Sequence, residues 1–142
     1  MGHAPKSTLL LAGCAALVPL IGLVTLPQTL VGLALAGFRR FQGYAWEGYR
    51  FGPFLFLVVH APGPRSAGIS LGLVVLASSP LLLKHEFCHL LTGLWLTWLY
   101  LPVYGLEYLV FGHDGSPHER VTCRFEQSVA WRIERLRSAA GL

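Results

Sequence analysis

Residues 85 to 89 read His-Glu-Phe-Cys-His, and no other stretch of the chain restricts its fold so tightly. On an α-helix, positions i and i+4 share one face. His85 and His89 therefore offer two imidazoles to a single ion, while Glu86 lies beside them to take a proton from metal-activated water. That chemistry requires a helix through the motif, a core against one side of it, and a second segment that brings another ligand. Leu82, Leu83, Phe87, Cys88, Leu90 and Leu91 are uncharged, and neither Pro nor Gly falls between Leu81 and Thr92. These features predict a helix buried in a core. The bland alternative, in which His85 and His89 are ordinary helix residues and Glu86 faces solvent, fits poorly with so continuous an apolar flank. Cys88 falls on a different face from the two His and is read as a small core residue.

A core alone does not account for the composition. The chain is 54% apolar and 13% charged, with a mean hydropathy of +0.54, whereas soluble domains carry about 25% charge. Membrane association is the expectation. The 11 Lys+Arg against 7 Asp+Glu give a net charge of +4, but the basic residues are scattered and form no nucleic-acid motif. Nucleic acid is excluded as a partner, and contact with anionic membrane lipid is the expected use of the charge. Cys14, Cys88 and Cys123 have no disulfide-framework spacing, which suits a reducing compartment.

Ser7 to Leu26 is uncharged and about 20 residues long, enough to cross a bilayer as a helix. Pro27 and Gln28 interrupt it, and a shorter apolar run from Thr29 to Phe38 ends at Arg39 and Arg40. The expected organisation is a membrane anchor over residues 1–38 and a metal-binding domain over 39–142. A cleavable signal peptide ending at Ala34-Leu35-Ala36 is the rival. Arg39, Arg40 and Arg50 outweigh Lys6 and the amino terminus, which predicts a cytoplasmic carboxyl-terminal domain.

Within that domain, Phe54 to Val59 and Ile69 to Leu76 read as two strands joined by the turn Pro62-Gly63-Pro64-Arg65-Ser66 and packed on the metal helix. A second membrane helix over Ala67 to Leu83 is the alternative, broken by Ser78-Ser79-Pro80. Leu90 to Phe111 reads as two shorter buried helices joined near Leu101-Pro102, or else as a span. After a polar turn from Gly112 to Pro117, the spacing of Val121, Phe125, Val129, Leu136 and Ala140 predicts a final helix that carries Arg120, Arg124, Arg132, Arg135 and Arg137.

A catalytic zinc site keeps three protein ligands and one open position. The candidates for the third are Glu107, His113, Asp114, His118, Glu119 and Glu126. Glu119 stands out because it opens a helix directly after a turn. Yet Ser116-Pro117-His118-Glu119 is also a capping box, and spacing alone divides Glu119 evenly between cap and ligand. Glu126 lies two turns further on the same face, about 10 Å away, so it and Glu119 cannot bind the same ion.

The stretches Gly68-Ile-Ser-Leu-Gly-Leu-Val-Val-Leu, Leu82-Leu-Lys-His-Glu-Phe-Cys-His, Leu99-Tyr-Leu-Pro-Val-Tyr and Ser116-Pro-His-Glu-Arg-Val together resemble a group of small bacterial HExxH proteins, the zincin-like metallopeptidases. The resemblance covers roughly residues 66–130. It departs where Leu90-Leu91-Thr92 replaces the Gln or Arg-Gln that follows the second His in many such proteins, and where Ser116 replaces an Asn. The resemblance implies His85, His89 and Glu119 as ligands of Zn²⁺, Glu86 as the base, a peptide or protein substrate, and placement in a bacterial inner membrane. The resulting expectation is an α+β fold in which an N-terminal transmembrane helix precedes a small zincin-like domain, made of a short β-hairpin or sheet and an HExxH active-site helix.

Tyr104, His113 and His118 are candidates to stabilise a developing oxyanion, and the strand Ile69 to Leu76 is a candidate to pair with an extended substrate. The competing function is a small membrane protein without catalysis, whose metal site is structural or absent. A site-2-type intramembrane protease, with Asp114 as third ligand, is a further alternative, but a chain without any Asn lacks the Asn-x-x-Pro element of that family.

Overall fold

The computed structural model describes residues 16–60, 68–113 and 115–136. Its centre is a mixed five-stranded sheet ordered β3-β4-β2-β1-β5. Strands β1 (Trp46–Phe51) and β2 (Phe54–His60) form an antiparallel hairpin in which Phe51 faces Phe54. Gly52, at φ +58, takes the first loop position of a two-residue turn, where only Gly enters the left-handed region freely, and Pro53 follows it. A Cβ on Gly52 would lie 2.6 Å from the Trp131 ring. Gly52→Ala is therefore expected to destabilise the fold by roughly 1–3 kcal/mol, through backbone strain and overpacking together. Thermal unfolding in detergent measures this, and an unchanged midpoint would show that the turn relaxes.

The segment expected as one strand from Ile69 to Leu76 is instead two, β3 (Gly68–Leu71) and β4 (Val74–Ala77), paired antiparallel with Leu71 opposite Val74. Gly72, at φ +63, turns the chain back. As a result β4, not β3, lies beside β2, and it runs parallel to it. The expected turn Pro62 to Ser66 lies outside the described residues. β3 is left as one edge of the sheet, next to the helix that carries the metal motif.

That helix, α3 (Leu83–Thr92), follows a single 3-10 turn, Pro80–Leu82, in which the Leu81 N–H donates to the Ser79 hydroxyl. Period-two alternation decides what packs where. Phe54, Phe56, Val58, Val75 and Ala77 project to one side and form a single core with Leu83, Phe87, Cys88 and Leu90 of α3. Phe87 is fully buried and stacks on Phe56 with ring centroids 4.2 Å apart. Cys88 is buried in the same core, and burial pushes its thiol up to about 12, so it stays protonated. Val59 and Val74 point to the opposite side, where they meet Ala36.

Ala36 belongs to α2 (Leu26–Phe41), which follows α1 (Ala16–Val24). Among the described residues no single helix is long and apolar enough to cross a membrane; α1 and α2 form an apolar pair bent by 68°. The first part of the expected span, residues 7–15, lies outside the described residues. The bend falls at Thr25, two residues before Pro27. A straight helix would need the N–H that Pro lacks and would drive its ring into the carbonyl one turn back, whereas in the first turn of α2 neither cost arises. Gly32 lets α2 lie flush on the sheet, since a Cβ there would come within 2.7 Å of the Val74 Cβ. The Thr29 hydroxyl accepts from the Leu73 N–H in the β3–β4 turn. Ala34-Leu35-Ala36, the alternative cleavage site, lies inside this packed helix.

Two further expectations are corrected. The chain after α3 breaks at Gly93, not near Pro102. A 3-10 stretch, Leu94–Leu99, leads into α4 (Tyr100–Phe111), and Pro102 sits harmlessly in its first turn. Most of α4 is exposed, not buried. The last helix, α5 (Pro117–Ser128), ends before Val129, which is extended at φ −93, ψ 120. The chain then forms β5 (Ile133–Arg135) on the free edge of β1, with Arg50 and Glu134 paired across the two strands at 2.7 Å. An available sheet edge outweighed a helical spacing whose last members, Leu136 and Ala140, fall eight and twelve residues past the helix end. Ala140 lies outside the described residues.

Candidate metal centre

α3 and α5 pack together with their chemically active faces opposed. One ligand atom each from His85, His89 and Glu119 lies within 4.8 Å of the others. His85 Nε2 is 2.6 Å from Glu119 Oε1, and His89 Nε2 is 3.5 Å from Glu119 Oε2. Ligand atoms around a tetrahedral zinc lie roughly 3.4 Å apart, given bonds of ~2.0–2.2 Å. The set thus has the chemistry for one divalent ion and lies close to the spacing it needs; at 2.6 Å the His85–Glu119 pair would have to open to admit it.

Glu119 resolves the choice between cap and ligand by separating its backbone from its side chain. Its N–H donates to the Ser116 hydroxyl at 3.3 Å, capping α5, while its carboxylate turns to the two His. The same face of α5 supports both imidazoles from behind. Glu126 Oε2 is 3.1 Å from His85 Nδ1, and Thr122 Oγ1 is 3.2 Å from His89 Nδ1. Thr92 donates to the Cys88 carbonyl, so Thr122 gives its proton to Thr92 at 2.7 Å and accepts the one on His89 Nδ1. This leaves the His89 Nε2 lone pair aimed at the site. Residues 119, 122 and 126 form one helical stripe that carries a candidate ligand and the partner of each His. Glu126 stands outside the cluster of candidate ligands and meets His85 at its far nitrogen.

The two imidazoles are in different states. The hydrogen bond to Glu119 raises His85 to about 9 against an opposing burial cost, whereas burial lowers His89 to about 3. Burial acts to raise Glu119, but the His85 hydrogen bond and the surrounding imidazoles outweigh it and hold the carboxylate at about 2. The metal-free site therefore contains a proton on His85. Because its folded value exceeds the ordinary 6.5, this proton contributes stability that is fully present below pH 6.5 and lost as pH rises through about 9. Zinc has to displace it, so zinc affinity is expected to rise with pH across that window, and binding near pH ~7.5 to release about one proton. Calorimetry in two buffers of different protonation enthalpy measures the release; a value of zero would mean that His85 is already neutral.

Glu86 is buried, with its carboxylate against β3. The Ser70 hydroxyl lies 3.0 Å from Oε2 and also donates to the Glu86 carbonyl. A Cβ on Gly68 would collide with Oε1, so the missing side chain at residue 68 is the space that the carboxylate occupies. Burial pushes Glu86 up to about 7, against the Ser70 hydrogen bond and the His85 charge.

The three oxyanion candidates separate. Tyr104 donates to Glu119 Oε2 at 3.1 Å, and burial raises its phenol, keeping it a donor. The exposed His113 brings Nε2 to 3.6 Å from Glu119 Oε1. His118 lies behind the site, buried at 3% exposure and stacked on His89 at 5.6 Å. Burial lowers its pKa, and neither ring nitrogen has a hydrogen-bond partner among the described residues. Glu107 accepts from the Ser116 hydroxyl at 2.7 Å and from the His118 N–H at 3.0 Å. It ties α4 to the first turn of α5 and stands outside the cluster of candidate ligands. Asp114 lies outside the described residues.

Sequence reasoning missed Gly68, Ser70, Thr122 and the orienting role of Glu126. Only the 3- and 4-residue spacing from Glu119 to Thr122 and Glu126 held a readable signal. Compared with known protein families, with curated proteins and with solved structures, the chain finds no match.

Proposed function

We propose that this chain is a membrane-anchored zinc metallopeptidase of zincin-like type, hydrolysing peptide bonds with water. The observation that carries the reading is the convergence of His85, His89 and Glu119 within 4.8 Å, with both His oriented from behind by α5. In this reading residues 1–38 anchor the chain in a bacterial inner membrane, and the domain that follows faces the cytoplasm.

Zinc on these three residues would supply a Lewis acid and bring the pKa of its water towards neutrality. Glu86 would take the proton of the attacking water and hand it to the departing amine, a task suited to a carboxyl that burial has already pushed up to about 7. Tyr104 and His113 would offer donors to the developing oxyanion. Strand β3, an edge of the sheet beside Glu86, would pair with an extended substrate backbone.

The test is cleavage of an unstructured peptide mixture by detergent-purified full-length protein, followed by mass spectrometry. The reading expects activity that 1,10-phenanthroline abolishes and added zinc restores; cleavage indifferent to the chelator would count against it.

One observation favours a second reading. His113 Nε2 lies 3.6 Å from Glu119 Oε1; if it moved in as a fourth ligand it would close the shell and make the zinc structural. His113→Ala separates the two: zinc is retained if the fourth position is open to water and lost if His113 fills it.

A further inference from the structure

We infer that the outer face of α4 binds the bilayer surface, as a membrane contact separate from the N-terminal helices, and seats the open side of the metal centre against anionic lipid. Between Tyr100 and Phe111 the only charged residue is Glu107, and its carboxylate is spent on Ser116 and the His118 N–H. Leu106, Leu109, Val110 and Phe111 are all more than half exposed, Leu109 at 82%. A helix that is apolar all round belongs in a core or in lipid, and α4 has no polar face to turn to water. Its 12 residues make about 18 Å, too short for a hydrocarbon core of ~30 Å, so it lies at the interface and does not span. Trp98, 67% exposed, and Tyr108, 51% exposed, add the amphipathic rings that favour headgroup depth.

The surroundings of α4 identify the occupant as a bilayer. Just beyond its end, His113 stands with its ring 6.4 Å from that of Tyr108. His113, Arg120, Cys123, Arg124 and Glu119 line an open cleft of ≈ 370 Å³. Arg120 and Arg124 are exposed, one helical turn apart, and engage no carboxylate among the described residues. An apolar helix beside an uncompensated cationic rim is complementary to an anionic lipid surface, acyl chains against the first and phosphates against the second. The N-terminal helices lie close by: Thr25 and Gln28, at the bend between α1 and α2, and Tyr100, at the start of α4, line the same small cavity beside His89. A second copy of the chain would cover α4 but would explain neither the arginine pair nor the exposed Leu17, Leu20 and Leu23 of α1. Because Glu119 lines the cationic cleft, whatever reaches the metal centre does so through the headgroup layer. Resting on the peptidase reading, the substrate class is then the membrane-proximal segment of a membrane polypeptide.

The experiment places the photocrosslinker p-benzoylphenylalanine at Leu109 of the full-length chain, with Glu134 on β5 as control, in vesicles of mixed phosphatidylcholine and phosphatidylglycerol. Lipid adducts are expected at residue 109 and not at 134. Phosphatidylglycerol is expected to be enriched among them, and R120Q/R124Q is expected to lose that enrichment. Crosslinking between two copies at residue 109, or no adduct there, would overturn the proposal. Equal lipid adducts at both positions would overturn it as well. Zinc measured on the same preparations keeps the outcomes apart: a chain without zinc that still gives lipid adducts at 109 refutes the metallopeptidase reading and leaves the membrane face standing.

Discussion

Glu86→Gln is expected to keep zinc at the wild-type level and to lower peptide hydrolysis by about 10²–10⁴-fold, the range that a positioned general base contributes. The substitution changes little except proton affinity. The amide fills the same space over Gly68 and can still meet the Ser70 hydroxyl, and Glu86 is not in the ligand cluster. A second consequence concerns stability. In wild type the carboxyl has a folded value of about 7 against an ordinary 4.5, because burial disfavours its charge. The stability that goes with its protonated form is therefore present below pH 4.5 and lost as pH rises through about 7. Gln carries no charge at any pH. Metal-free E86Q is thus expected to melt higher than the metal-free wild type at pH ~8 and at the same temperature near pH ~4, an activity residue held at a cost in stability. Zinc content, hydrolysis rate and melting temperature of the same two proteins make the check. Retained hydrolysis would remove Glu86 from the base role, and loss of zinc together with activity would show that it supports the ligands.

The ease with which the motif helix could be read, and the difficulty of much else, has a physical basis. The i, i+4 pair of His and its apolar flank are local properties, and α3 formed where they placed it, as did α5 behind its Ser116 cap. Phe54 to Val59 announced a strand by composition alone. What escaped were pairings and turns that depend on distant partners. Gly72 is one glycine among 16, and nothing local says that it reverses the chain and splits one expected strand into two. Gly68 functions through an absent side chain, visible only once Glu86 arrives from 18 positions later. The tail from Val129 to Leu136 carried a helical spacing, but the open edge of β1 offered backbone partners that a continued helix would have left unused. The polar support of the site was half legible. Glu119, Thr122 and Glu126 share a face in any helix, but that they would meet His85 and His89 depends on how α3 and α5 cross.

That crossing makes the sharpest division among the site residues. Glu119→Ala is expected to abolish zinc binding, whereas Glu126→Gln and Thr122→Val are each expected to leave a site that binds roughly 10–100-fold more weakly, the usual cost of losing a partner behind a ligand. Glu119 offers oxygens at 2.6 and 3.5 Å from the two imidazole nitrogens that face the site; without it two His remain, too few for a stable zinc centre. Glu126 and Thr122 lie on the far nitrogens, 3.1 and 3.2 Å away, and only fix ring orientation and tautomer. Two controls keep folding out of the comparison. Glu119→Gln preserves shape and the backbone cap to Ser116 while removing the charge, so it too should lose zinc without unfolding. Ser116→Ala removes the cap while leaving the carboxylate, so it should cost about 1 kcal/mol of stability yet retain zinc. Competition with a chromogenic chelator ranks all five variants. If Glu119→Ala bound zinc as well as Thr122→Val, Glu119 would be no more than part of the helix cap; if Glu126→Gln abolished binding outright, the coordinating carboxylate would be Glu126, and α5 would meet the ion one turn or more further along.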